Sequence, residues 1–166
     1  MARRKLKEPV EPWIFKGQPV VNLCADDLDT YYGFIYKITN KETGKFYIGK
    51  KNLHSYKTQI KHVLNERTGR MNKVRDILVS ESNWRDYFSS SIEIRNEIKA
   101  LGKGAFTREI LLFVPTKKQL TYYEAKYQFM TGCLEPGVDS YNDNIFGRFF
   151  PGDFYSKDTP EDLGEE

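Results

Sequence analysis

"GFIYKITNKETGKFYIGKK", residues 33–51, is the stretch whose reading decides the fold. β-branched and aromatic residues fill both ends, and "NKETG" between them has turn chemistry, so the segment reads as one β-hairpin. Register decides which side chains share a face, because a slip of one residue moves each of them to the other side. With residues 41–44 as the loop and Asn40 opposite Lys45, Tyr36 falls opposite Gly49 and Ile38 opposite Tyr47. Phe34, Tyr36, Ile38, Tyr47 and Gly49 then share one face; Ile35, Phe46 and Ile48 share the other. On this register the missing side chain of Gly49 leaves a gap beside the Tyr36 hydroxyl that a ligand or backbone could enter. A five-residue loop would put the tyrosines on opposite faces. Periodicity does not choose between the two, and ordinary strand aromatics would satisfy either.

Outward from the hairpin, residues 1–30 hold Pro9, Pro12 and Pro19 with Asp26, Asp27 and Asp29, and read as an extended arm. A short helix is expected around residues 58–65. In "SNWRDYFSSSIEIRNEIKALGKG", Trp84, Tyr87 and Phe88 recur at three- and four-residue spacing. A serine cap at Ser90 or Ser91, apolar Ile94, Ile98 and Leu101, and a Gly102 stop then describe an amphipathic helix. "AFTREILLFVP" is the next strand. "TKKQLTYYEAKYQFMTG" opens with a capping box, Thr116 and Gln119, and carries an apolar stripe of Leu120, Tyr123, Tyr127 and Met130. The order hairpin, helix, strand, helix predicts a small α+β domain over residues 31–150 with a mainly antiparallel sheet. Residues 151–166 read as a flexible acidic tail.

Charge is unevenly distributed. The net +3 of the 166 residues divides into −4 on residues 156–166 and +7 on the rest. Residues 50–75 hold Lys50, Lys51, Lys57, Lys61, Arg67, Arg70, Lys73 and Arg75 against Glu66 alone. Such a run is either a solvated loop or a phosphate-binding surface that releases counterions from a nucleic acid. No apolar run reaches membrane-spanning length, and the start carries no apolar signal region, so a cytoplasmic protein is expected. Cys24 and Cys133 are far apart in no metal spacing, which argues for reduced thiols and against zinc.

"FIY" followed at eleven residues by "YIG" resembles the GIY-YIG nucleases. The likeness continues in order through "TNKETGKFYIGKK", "SNWRDYFSSS", "FTREIL", "YYEAKYQF" and "SYNDNIFGR", covering about residues 32–150. It is similar to a phage-associated branch that includes homing-type endonucleases and relatives of a small restriction enzyme. The resemblance implies a three-stranded antiparallel sheet flanked by helices. It also implies DNA phosphodiester hydrolysis with one Mg²⁺ or Mn²⁺ per site, held by Glu124. Carried over by motif, Tyr36 and Tyr47 are the two tyrosines, Gly49 closes the second triplet, and Asn142 is the supporting asparagine. Phe34 stands where the first triplet usually has glycine, which here is Gly33. Lys57 stands where the family has its catalytic arginine; lysine keeps the charge and loses the bidentate fork.

These roles follow from the chemistry. Hydrolysis needs a positioned water, a base, and cations for the developing charge. A free phenol is about one part in a thousand ionised at neutral pH, so Tyr36 could act as base only if neighbouring cations lowered its pKa. Otherwise it positions the water. Tyr47 is its hydrogen-bond partner or a phosphate contact. Lys57, or Arg67, Arg70 or Arg75 folding back, would meet the transition-state charge. His54 and His62 are alternative bases that the resemblance does not require. Lys50, Lys51, Lys61, Arg67, Arg70, Lys73 and Arg75 are expected on DNA, with a homodimer on short or relaxed targets. A catalytically weakened binding module and a partner-binding aromatic surface are the alternatives.

Overall fold

The computed structural model describes residues 10–155 apart from Asn22 and Cys24 and from the side chains of Ala25 and Asp26. The first nine residues of the expected arm, the Cys24 thiol and the acidic stretch 156–166 lie outside the described residues. The described part of residues 1–30 is not an arm. It forms strands β1 (Trp13–Phe15) and β2 (Gln18–Val20) and helix α1 (Ala25–Thr30). Trp13 is the cause. Its indole is 1% exposed, donates from Nε1 to the Trp84 carbonyl at 2.8 Å, and packs 5.2 Å from the Phe34 ring. An aromatic that size outweighs the extended bias of the nearby prolines, and Pro19 sits on an edge strand where no ladder donor is needed.

The signature stretch folds as β3 (Gly33–Asn40) and β4 (Phe46–Asn52). Its register pairs Tyr36 with Gly49 and Ile38 with Tyr47, the four-residue-loop alternative. Asn40 donates its N–H to the Lys45 carbonyl at 2.9 Å, and Gly44, at φ 77°, closes the turn. A second hairpin follows, β5 (His54–Asn65) and β6 (Arg70–Glu81), then α2 (Ile92–Leu101), β7 (Phe106–Val114), α3 (Lys117–Met130) and a final turn of helix, α4 (Pro151–Phe154).

The main sheet has five strands in the order β2-β1-β7-β3-β4, so the three-stranded antiparallel expectation is corrected to a five-stranded mixed sheet. β3, β4 and β7 make the expected antiparallel centre. β1 adds in parallel to β7, pairing Ile14 with Glu109, and β2 pairs back onto β1. One face buries Trp13, Phe34, Tyr36, Ile38, Trp84, Phe88, Ile94 and Ile110 under α2 and the segment before it. The other buries Ile35, Ile48 and Val114 against Leu120 of α3. A bulge between Ile35 and Tyr36 shifts the β3–β7 register, so Ile110 and Phe113, three apart, both reach the first face.

The helices start where the sequence says. Ser91 caps α2, accepting from the Ile94 N–H, and Thr116 caps α3, accepting from the Gln119 N–H at 3.2 Å. Their stripes run shorter than expected: Leu101 and Met130 are exposed, while Ala125 and Gln128 are buried instead.

The basic segment is corrected most. Residues 58–65 form no helix; they lie inside β5, paired with β6 along twelve residues of each strand, from His54–Glu81 to Asn65–Arg70. Ile60, Val63 and Leu64 mimic helical spacing, but a β-rich partner strand one tight turn away offers each backbone group a ladder bond. This ribbon is its own two-stranded sheet. At about 3.4 Å per residue its tip stands on the order of 35 Å from its base.

Candidate functional site

Tyr36 and Tyr47 lie on one face of the sheet with ring centroids 6.1 Å apart. The gap expected at Gly49 is closed by the tyrosines themselves: an added Cβ there would sit 2.6 Å from both the Tyr36 hydroxyl and Tyr47 Cε1. Gly49 is a glycine to admit two rings, not a ligand. Gly33 admits the neighbouring strand in the same way, since a Cβ there would collide with the Lys51 carbonyl. Phe34, the departure from the first triplet, is fully buried between Trp13 and Trp84 and is a core residue.

Glu124 comes from α3, which covers the opposite face. It meets Tyr47, not the buried Tyr36, at the edge of β4, where Tyr47, Lys50, Glu124, Gln128, Asn142 and Asp143 line one pocket of about 370 Å³. Its side chain is 16% exposed and ion-paired with Lys50 Nζ at 2.8 Å. Asn142 secures that edge. Its Oδ1 accepts from the Ile48 N–H and its Nδ2 donates to the Ile48 carbonyl, both at 2.8 Å, so the side chain replaces a missing neighbour strand. Gln128 donates to the same carbonyl. Ile48 is thereby fixed between Tyr47 and Gly49.

Burial holds the Tyr36 phenol well above its usual pKa, and neighbouring Tyr87 and Tyr47 add to the rise. Tyr47 is raised too, by burial, although its hydrogen bond with Ser90, 3.2 Å away, works the other way. The lowering by cations that a base role for Tyr36 would require is not found, and both phenols are shifted the other way.

Lys57 lies near these residues rather than among them. It is exposed on β5 in an open cleft of about 840 Å³ that it shares with Lys50, Lys51, Tyr87 and the base of the ribbon. Burial lowers the Lys51 pKa, and its ammonium rests 4.1 Å above the Tyr87 ring. Lys61 pairs with Asp76. Arg67 lies in the ribbon's turn, Arg70 beside it, and Lys73 and Arg75 along β6 opposite His62 and Ile60. Arg67, Arg70 and Arg75 belong to this paired ribbon, and none of them lines the pocket of Glu124. His54 lies at the cleft's edge and His62 far along the ribbon.

Two contributors were invisible in the sequence. Ser90, read only as a candidate helix cap, bonds Tyr47. Arg108 of "FTREIL" is 4% exposed, donates to the Arg85, Tyr87 and Glu11 carbonyls, and stacks between Trp13 and Phe88. Burial drops its pKa to about 10. It ties the N-terminal strands to the segment that presents Tyr87. No group of three or more His, Cys, Asp or Glu able to hold a metal occurs among the described residues. No helix there is long and apolar enough to cross a membrane.

Searches of curated proteins and of solved structures found no match. The family described as "Putative endonuclease segE, GIY-YIG domain" matches residues 13–145, which reach from the start of β1, through both tyrosines and Glu124, to the residues just after Asn142. The chain belongs to the GIY-YIG endonuclease family, in its segE branch.

Proposed function

We propose that the protein is a metal-dependent endonuclease that hydrolyses DNA phosphodiesters. The observation that carries this is the half-buried Glu124 carboxylate, wrapped around the β4 edge into the pocket of Tyr47, Lys50 and Asn142. A solvated helix glutamate would have no reason to be there.

The donor set fits one hard cation. Glu124, with exposed Asp143 in the same pocket, offers one or two carboxylates and room for water, which suits an Mg²⁺ or Mn²⁺ that keeps most of its hydration. Lys50 already answers the Glu124 charge with a cation of its own. When bound, such an ion would polarise the phosphate and acidify water. Tyr47 orients the attacking water through its hydroxyl, and Ser90 holds that hydroxyl in place. Tyr36, buried and protonated, wedges the Tyr47 ring and is a positioning residue rather than a base. Lys50, Lys51 and Lys57 line the cleft that would take the DNA backbone.

The exposed Lys57 in the family's arginine position favours one second reading, a binding module with weakened catalysis. Supercoiled plasmid with Mg²⁺ separates the two. The nuclease nicks it, and Glu124→Ala slows nicking at least about a hundredfold, the scale of losing several kcal/mol of charge stabilisation, without losing DNA affinity. A gel shift with no cutting by the wild type would establish the module, and no salt-dependent affinity would discard both. Whether the target is homing-like or restriction-like is read from cleavage positions in a random-sequence library; short or relaxed sites are expected.

A further inference from the structure

The open cleft at the base of the ribbon has walls of two kinds. Three of its lysines, Lys51, Lys57 and Lys117, have no acidic partner among the described residues. Glu81, the one acid lining it, is already engaged by the Arg85 guanidinium and the Trp84 indole. Beside these cations stands Tyr56 of β5, 49% exposed. Half-buried Tyr32 lies nearly parallel to it, with 6.0 Å between ring centroids and 14° between planes. His54 tilts against it at 6.4 Å. The Tyr56 ring is thus braced, and much of it stays open to the cleft.

We propose that this cleft takes an unpaired nucleotide of a DNA strand, with its base stacked on the Tyr56 ring and its flanking phosphates held by Lys51, Lys57 and Lys117. Uncompensated lysines alone would serve any DNA. The aromatic face makes the distinction. A duplex offers a protein its phosphates and the groove edges of its bases, while the base faces are covered by their neighbours. A braced, exposed ring gains only from a base whose own face is free, and a cationic groove interleaved with stacking rings is how single strands are held. A fully paired duplex would first have to give up a stacked base, which weakens its binding. The cleft's volume of about 840 Å³ accommodates one nucleotide. The Lys51 ammonium is placed before DNA arrives, donating to Asn83 at 2.7 Å and resting 4.1 Å above the Tyr87 ring. Lys50 lines both this cleft and the Glu124 pocket. The unpaired nucleotide therefore lies beside the bond that is cut, a consequence that rests on the nuclease reading, whereas the binding does not.

Affinity measured without metal tests the proposal apart from catalysis. The probes are a fully paired DNA duplex and the same duplex with one unpaired nucleotide, at one salt concentration. The wild type is expected to bind the second at least about tenfold more tightly, the scale of one stacked base. Tyr56→Leu keeps apolar bulk, loses the flat ring and abolishes the preference; Tyr56→Phe retains it. The position is exposed, so thermal unfolding of both variants is expected to match the wild type. Equal wild-type affinity for the two probes, a preference that survives Tyr56→Leu, or one lost as fully in Tyr56→Phe overturns the proposal. Plasmid nicking with Mg²⁺, run alongside, separates it from the enzyme reading. Nicking without the preference sinks the cleft proposal alone, and the preference without nicking sinks the nuclease alone.

Discussion

Two hairpins follow one another in this chain and share a secondary structure, yet they are different objects. In β3–β4 nearly every β3 side chain is buried, because the pair lies inside a sheet covered on both faces. In β5–β6 nearly every side chain is exposed. Backbone pairing is equally complete in both, so the ladder does not explain the difference. Tertiary cover does: α2 and α3 sandwich the first ribbon and nothing described sandwiches the second. Hydrogen bonds shape a ribbon, and apolar burial makes it rigid enough to hold chemistry. The candidate site accordingly sits on the first ribbon and the unpartnered surface on the second.

Three measurements would break or sharpen that contrast. The largest effect is expected from deleting matched apolar bulk. Ile48→Ala, at a fully buried position, costs about 2–5 kcal/mol, whereas Val63→Ala, half-exposed, stays within about 0.5 kcal/mol. Urea midpoints read both, and similar losses would mean the second ribbon is buried too. Next is Gly49→Ala. Its methyl group would collide with both tyrosine rings, so it costs about 1–3 kcal/mol and slows cutting, whereas Gly69→Ala, in the open turn of the second ribbon, pays only its backbone strain at φ 63°. Equal activity and stability for Gly49→Ala would show that the rings can part.

The smallest effect is on the alkaline side. Burial, and then a hydrogen bond to Glu97, push Tyr141 to about 12, and burial raises Tyr36 and Tyr47. An unfolded tyrosine ionises near 10, so above that pH the unfolded chain binds fewer protons than the native one, and stability falls as pH rises toward about 12. Below 10 these groups impose no pH dependence. Tyr141→Phe should flatten the alkaline slope of the urea midpoint. An unchanged slope in Tyr141→Phe would place that phenol in water.

Much of the site was legible because its parts are local. Where "NKETG" turns narrows the hairpin to two registers, and the four-residue loop that the structure adopts puts Tyr36, Tyr47 and Gly49 on one side. The cap at Thr116 was legible because it depends on residues three apart, while at α2 the sequence left Ser90 and Ser91 open and the structure takes Ser91. The role of Gly49 was misjudged: a gap in the sequence is not a cavity until the neighbouring rings are placed. Residues 58–65 were misread because Ile60, Val63 and Leu64 satisfy a helical pattern, and only pairing with 70–77 decides against it.

The sequence by itself determined the strands of the signature hairpin, the start of α3 and the charge asymmetry, since each rests on interactions spanning a few residues; the faces of the hairpin it left between two registers. Only the tertiary structure decided that Trp13 recruits a parallel strand, that Arg108 locks it in place, that Glu124 shares a pocket with Tyr47 at the edge of β4, and that the basic segment stands out as a ribbon of its own. Those outcomes depend on which distant surfaces cover one another, and burial is a property of the assembled molecule that no local pattern carries.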